Sequence, residues 1–336
     1  MKSEAPGMQH RQSGHSPTPQ GTMNDNENTG TEKASNGNFH MGAIEWTMLV
    51  GLALVWGSSF FFSKVALRDL PPFTIVWVRS VLGALLLWFI VKMSGQSMRL
   101  PFKVWRDFAV LGVLNTTIPF SLISYGQTQI ASGLASILNA TSPLFTVLVA
   151  HFATRDERLS IQKLAGITFG IAGVAVMIGV DALRGLGLNV LAQVAVLIAS
   201  LSYACASVYG RRVRELPAMV AASGPIICSA FILAPFALII DHPWELAMPG
   251  AATWGAMAGL VVLCTAVSYF FYFRILAVAG ATNLMLVTFL IPISALLLGV
   301  IVLDEVIELQ HLGGMVLICV GLAAIDGRVL RLLRPQ

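Results

Sequence analysis

Ten apolar runs recur along this chain, each close to the length of one bilayer crossing. They lie at about 46–67, 72–92, 107–126, 131–152, 161–180, 188–209, 218–240, 251–273, 281–303 and 309–326. A hydrocarbon core of about 30 Å takes roughly 20 apolar residues in a helix. Inside lipid every backbone polar group must find a partner within the protein, and a helix does this by itself. The runs do not alternate apolar with polar residues, which excludes a β-barrel. Composition agrees. Charged residues make up 11% of the chain and apolar ones 56%, against roughly 25% charged in a soluble domain. The expected fold is an all-α membrane protein of ten transmembrane helices. The breaks between runs carry boundary residues such as Pro71-Pro72, Pro101, Ser160, Pro217 and Asp304-Glu305.

Loop charge orients the chain. With the N-terminus in the cytoplasm, the cytoplasmic loops and tail hold Lys92, Arg99, Lys103, Arg106, Arg155, Arg158, Lys163, Arg211, Arg212, Arg214, Arg274, Arg328, Arg331 and Arg334. The outer loops hold Lys64, Arg68 and Arg184. Fourteen against three is a strong positive-inside bias. It sets both termini in the cytoplasm, which needs an even number of crossings. The net charge of +4 therefore belongs to loops, and no nucleic-acid partner is expected. Cys205, Cys228, Cys264 and Cys319 lie within apolar runs without C-x-x-C spacing, so neither a disulfide nor a metal site is expected.

The chain divides into four parts. Residues 1–43 form a polar tail, and its first forty contain no Leu, Ile or Val, which predicts disorder. The tail has no apolar stretch of a signal peptide, and a start at Met41 is the competing reading. Residues 44–181 and 186–327 are two five-helix repeats, and 328–336 are a basic cytoplasmic tail. The duplication is carried by spacing. Asp156-Glu157, Gly166 and Gly173 recur as Asp304-Glu305, Gly314 and Gly321, all at an offset of 148, and Pro143 recurs as Pro292 within one residue of it. Five is odd, so the two copies insert with opposite orientation. Inverted repeats place a solute site near the bilayer midplane between the halves.

Trp56-Gly57-Ser58-Ser59-Phe60, Pro72 with Arg79, and the Glu-x8-Gly-x6-Gly signature of both copies resemble the drug/metabolite transporter superfamily, EamA type. The resemblance covers about 45–327. It implies a ten-helix carrier, often an exporter of amino acids or other metabolites, in a bacterial-type inner membrane. It implies no particular substrate.

Arg79 is the basic residue set deepest in a run, roughly 12 Å from the end of helix 2 at 1.5 Å per residue. A cation there costs at least about 2.5 kcal/mol without partners. It is either an anchor for a substrate carboxylate or phosphate, or a structural cation. Trp56 and Ser59, with Ser58, sit near mid-membrane and line a cavity or pack a helix crossing. Asn115, Asn139, Tyr203, Tyr269 and Asn283 are further cavity candidates, suited to a zwitterionic or neutral polar solute. Pro143 and Pro292 are read as helix kinks or gates. The acidic pairs are read as caps of the helices that follow them.

The functional expectation is a secondary transporter of a small metabolite, an amino acid or similar polar solute, exported across the plasma membrane by alternating access. The alternative is a membrane-embedded enzyme or flippase-like protein handling a lipid-linked substrate. Against an enzyme, H-E-x-x-H, G-x-S-x-G and the Walker lysine motif are all missing. No cofactor is expected. The partners are a small-molecule solute and membrane lipid, with a homodimer left open.

Overall fold

The computed structural model describes residues 42–154, 160–179 and 187–326. All regular structure among them is helical. Ten rods follow one another: α1 Ala43–Ala66, α2 Pro72–Met93, α3 Phe102–Gln129, α4 Ser132–Ala153, α5 Ile161–Ile178, α6 Leu188–Val213, α7 Ala218–Asp241, α8 Ala251–Gly280, α9 Val287–Leu303 and α10 Leu309–Asp326. α1 opens on Ala43, the last residue assigned to the polar tail. The rest of that tail up to Met41, the Asp156-Glu157 pair and the basic tail lie outside the described residues.

Among the described residues nine rods are long and apolar enough to cross a bilayer, and α9 is shorter, at 17 residues. The sequence predicts a full span at 281–303, and the structure divides it. Residues 281–284 are helical, Met285 and Leu286 form a turn, and α9 then begins. Gly280, at φ 77°, ends α8, a conformation that favours glycine. α4 carries an equivalent interruption. Its first half, Ser132–Asn139, is separated by a turn at Ala140-Thr141 from its second half, Ser142–Ala153. A turn built of apolar residues leaves no mark on hydropathy.

The outward faces of the rods are apolar. Leu85, Phe89, Ile171, Phe231 and Ile301 are all exposed, Phe231 by 77%. Water does not tolerate so much continuous apolar surface, and lipid does. Between the rods, small residues allow close approach. A Cβ on Gly166 would stand 2.5 Å from the Gly321 carbonyl oxygen, and one on Gly321 the same distance from that of Gly166. Gly173 and Gly314 meet in the same reciprocal way, at 2.7 Å.

These four glycines are the ones related by the 148-residue offset. Position 166 corresponds to 314 and 321 to 173, so the first contact maps onto the second when the copies are exchanged. That is the signature of a two-fold relation. Residue numbers rise along α5 as they fall along α10, so these equivalent helices run antiparallel. The other packing pairs obey the same exchange. α1 lies on α8 and α9 as α6 lies on α3 and α4, and α2 lies on α7.

Polar contacts identify the two faces. Lys64 at the end of α1 donates to the carbonyls of Gln127 and Ile130 at the end of α3, at 2.6 and 2.9 Å. On the opposite side, Tyr209 near the end of α6 donates to Asp107 at the start of α3, at 2.8 Å. The first helices of the two copies thus finish on opposite faces.

Candidate functional site

Gly57 positions the start of the site. Any side chain there would collide with Ser294 and come within 2.9 Å of the Ile291 carbonyl on α9. Ser294 Oγ donates to the Ala53 carbonyl at 2.8 Å and pins the crossing. With that side of α1 committed to α9, the neighbouring Trp56, Ser58 and Ser59 are left half-buried.

Arg79 reaches this group from α2. Its Nη1 donates to Ser59 Oγ at 3.2 Å, and its Cζ lies 4.2 Å from the centre of the Phe120 ring on α3. Tyr203 of α6 with Cys264 and Tyr269 of α8 lie close enough to act on its charge. Among the described residues no carboxylate pairs with it; Asp107 instead lies 3.9 Å from Arg212, near the Tyr209 face. Aromatic rings continue outward from the guanidinium. Phe120 meets Tyr203 edge-on at 6.5 Å, Tyr269 stacks on Phe273 at 5.8 Å, and Tyr272 links Phe273 at 5.2 Å to Trp56 at 6.0 Å. Trp56, Ser59, Arg79, Phe120, Tyr203, Tyr269 and Tyr272 are only half-buried, although Leu52, Phe60, Thr116, Ala204 and Ser268 around them are buried. Polar and aromatic side chains from both copies thus converge here and keep part of their surface accessible.

The rings are paired by the duplication. Trp56 and Tyr203 stand 147 residues apart on the first helix of each copy, and Phe120 and Tyr269 stand 149 apart on the third. Each third helix also carries a wide π-helical turn, Val113–Thr117 in α3 and Gly259–Val267 in α8. The charge is not paired. α7, the counterpart of α2, contains no Lys or Arg at all.

Of the predicted cavity residues, Trp56, Ser59, Arg79, Tyr203 and Tyr269 come together here. Asn139 lies at the α4 break. Its backbone carbonyl accepts from Ser142 Oγ at 2.7 Å and from Ser200 Oγ at 3.5 Å, one turn along α6 from Tyr203, and its own Oδ1 is buried without a partner. Asn115 does not join. It is exposed within the π turn of α3, whose widened pitch moves it off the inward stripe. Asn283 is buried and donates to the Ala279 carbonyl at 2.9 Å, bracing the backbone around Gly280.

The two matched prolines differ. Pro292 is a buried interior residue of α9. Pro143 is not an interior kink: it sits in the first turn of the second half of α4, where a missing N–H costs nothing. Glu305 also departs from expectation. It caps α4 rather than the helix after it, accepting from Ser132 N at 2.7 Å, Ser132 Oγ at 2.8 Å and Gly133 N at 3.3 Å.

Two other acids act alike at the Lys64 face. Asp241 accepts from Thr74 N at 2.6 Å and Thr74 Oγ1 at 2.9 Å, at the start of α2. Asp69 accepts from Thr253 Oγ1 at 2.6 Å and Gly250 N at 2.9 Å, at the start of α8. The Thr253 hydroxyl and then the Gly250 amide hold the Asp69 carboxyl below its usual range. Each carboxylate ties one copy to a helix start of the other, where its charge meets unpaired amides. Two clefts of about 340 and 270 Å³ open at this face, the second beside Lys64, Gln127 and Glu305. Neither is lined by Arg79. Sequence reasoning missed this clasp because its partners are distant in the chain. It missed Phe120 because an apolar residue in an apolar run carries no signal except its register with Tyr269. Among the described residues no three His, Cys, Asp or Glu side chains converge on a metal position.

The pattern of the EamA-like transporter family matches the chain twice, over residues 44–179 and 190–325. A probable amino-acid metabolite efflux pump of Escherichia coli is 29% identical over 282 residues, 81% of this chain and 91% of that protein. The uncharacterised transporter YoaV of Bacillus subtilis is 24% identical over 279 residues, 82% of this chain and 94% of its own length. The uncharacterised inner membrane transporter YedA of Escherichia coli is 26% identical over 256 residues, 75% and 80% of the two chains. A solved crystal structure superimposes with a TM-score of 0.62 at 20% identity, covering 88% of this chain and all of that one.

Proposed function

From the premise that the chain belongs to the EamA-like transporter family, we propose that it is a secondary carrier exporting a small metabolite, an amino acid or similar polar solute, by alternating access. It is a multi-pass protein of the plasma membrane, and the relatives named above are transporters. The chain crosses ten times, the broken α9 included, as two repeats at 44–181 and 186–327, with both termini cytoplasmic. The fourteen-to-three distribution of basic residues supports that orientation. The Lys64 face is then the outer one.

The observation that carries the reading is Arg79, unpaired with any carboxylate among the described residues and half-buried where α1, α2, α3, α6 and α8 meet. All five helices come from the two antiparallel copies. When one copy tilts against the other, access to such a site passes from one face to the other. The E. coli relative is named for amino-acid metabolite efflux, which favours a solute with a polar headgroup and outward direction. The test is flux. Purified protein in sealed vesicles is expected to accumulate radiolabelled amino acids, and Arg79→Ala is expected to impair this at equal abundance. Chemical conversion of solute without flux would refute the carrier.

A further inference from the structure

We infer that the solute bound at Arg79 is a small carboxylate with a flat, apolar body; the inference rests on the carrier reading and sharpens it. Arg79 has five N–H donors in a planar fork. Among the described residues one bond is made, to Ser59, and the ring of Phe120 covers one face of the guanidinium. The edge donors left over match the two oxygens of a carboxylate. A cation this far inside lipid is costly until an anion joins it. Among the described residues no acidic side chain stands beside it to do so.

The same inventory discriminates by charge. A cationic solute meets a like charge and no acid. A doubly charged phosphate calls for a second cation, which the counterpart helix α7 lacks. The rest of the lining is ring surface: Trp56, Phe120, Tyr203, Tyr269 and Tyr272. Rings on matched positions of both copies suit a flat apolar body held between them. An amino acid and a simple carboxylate share this chemistry.

The experiment compares near-isosteres on the purified wild-type carrier: 3-phenylpropionate, its amide, 3-phenylpropylamine, phenylalanine, acetate and phenylphosphonate. Binding is read by thermal shift and flux in sealed vesicles. The acid, phenylalanine or both are expected to bind at least about tenfold more tightly than the amide, amine or phosphonate, the usual cost of leaving a buried charge unmatched. Acetate, lacking a ring, should bind weakly. Arg79→Gln should erase the acid-over-amide preference, and Arg79→Lys should restore part of it. An amide, amine or phosphonate that equals the acid overturns the substrate class while leaving the carrier standing. Acid-selective binding with no flux overturns the carrier while leaving the site's chemistry standing. Flux of other solutes with no binding of either carboxylate overturns the substrate class. The wild-type ratio decides even if a variant misfolds.

Discussion

The two copies of the five-helix unit agree in shape and differ in charge. They share glycines that meet reciprocally across α5 and α10, π turns in α3 and α8, interruptions before or within their fourth helices, and paired rings at Trp56/Tyr203 and Phe120/Tyr269. Arg79 has no basic partner on α7. Symmetry supplies the scaffold, because two copies related by a two-fold can rock about one site. In the proposed carrier, asymmetry supplies the chemistry, because one solute headgroup needs one charge. The matched prolines make the same point on a smaller scale. Pro143 starts a helical segment and Pro292 lies inside one, so equal sequence positions hold unequal local structure.

The sharpest way to break this contrast is at the unpaired charge. Arg79→Gln is expected to lower flux by at least about tenfold, whereas Ile227→Ala at the 148-residue counterpart should leave it near wild type. Equal losses would mean that charge asymmetry is irrelevant. Next comes the shared scaffold. Gly166→Ala and Gly314→Ala occupy equivalent positions and each drives a Cβ into the facing helix. Each should cost about 1–3 kcal/mol by overpacking, seen as matched falls in thermal midpoint. Clearly unequal falls would break the two-fold.

The clasp at the Lys64 face gives smaller effects. Glu305→Gln weakens a charge-assisted cap and should cost about 1 kcal/mol. Faster hydrogen exchange at Ser132 and Gly133 is the readout, and unchanged rates would show the cap to be idle. The smallest effect concerns Asp69. Its carboxyl is depressed by Thr253 and Gly250, so its tie adds stability above the ordinary carboxylate range and loses it as pH falls below about 4. The stability gap between wild type and Asp69→Asn should therefore be full at pH 6 and narrow steadily as pH falls below about 4. A gap that does not change between pH 6 and the lowest pH at which the protein stays folded would assign it to something other than ionisation.

The apolar runs and the 148-residue echo carried the helical membrane class and the duplication, and residue type inside the runs picked out Trp56, Ser59, Arg79, Tyr203 and Tyr269, which the fold brings together. They did so because lipid constrains each helix separately, so length and composition of a single run are enough. The local placement of Asn115, Asn283 and Pro143 was not legible for the opposite reason. A π turn, a glycine at positive φ and a turn within an apolar run change which way a side chain faces without changing hydropathy.

Sequence by itself determined that this chain lies in a membrane as two related halves and that one deep arginine needs an explanation. Only the tertiary structure decided what surrounds that arginine and which acids cap which helices. Contacts such as Glu305 with Ser132, or Arg79 with Phe120, join residues whose proximity depends on the packing of whole helices, and no local propensity encodes that.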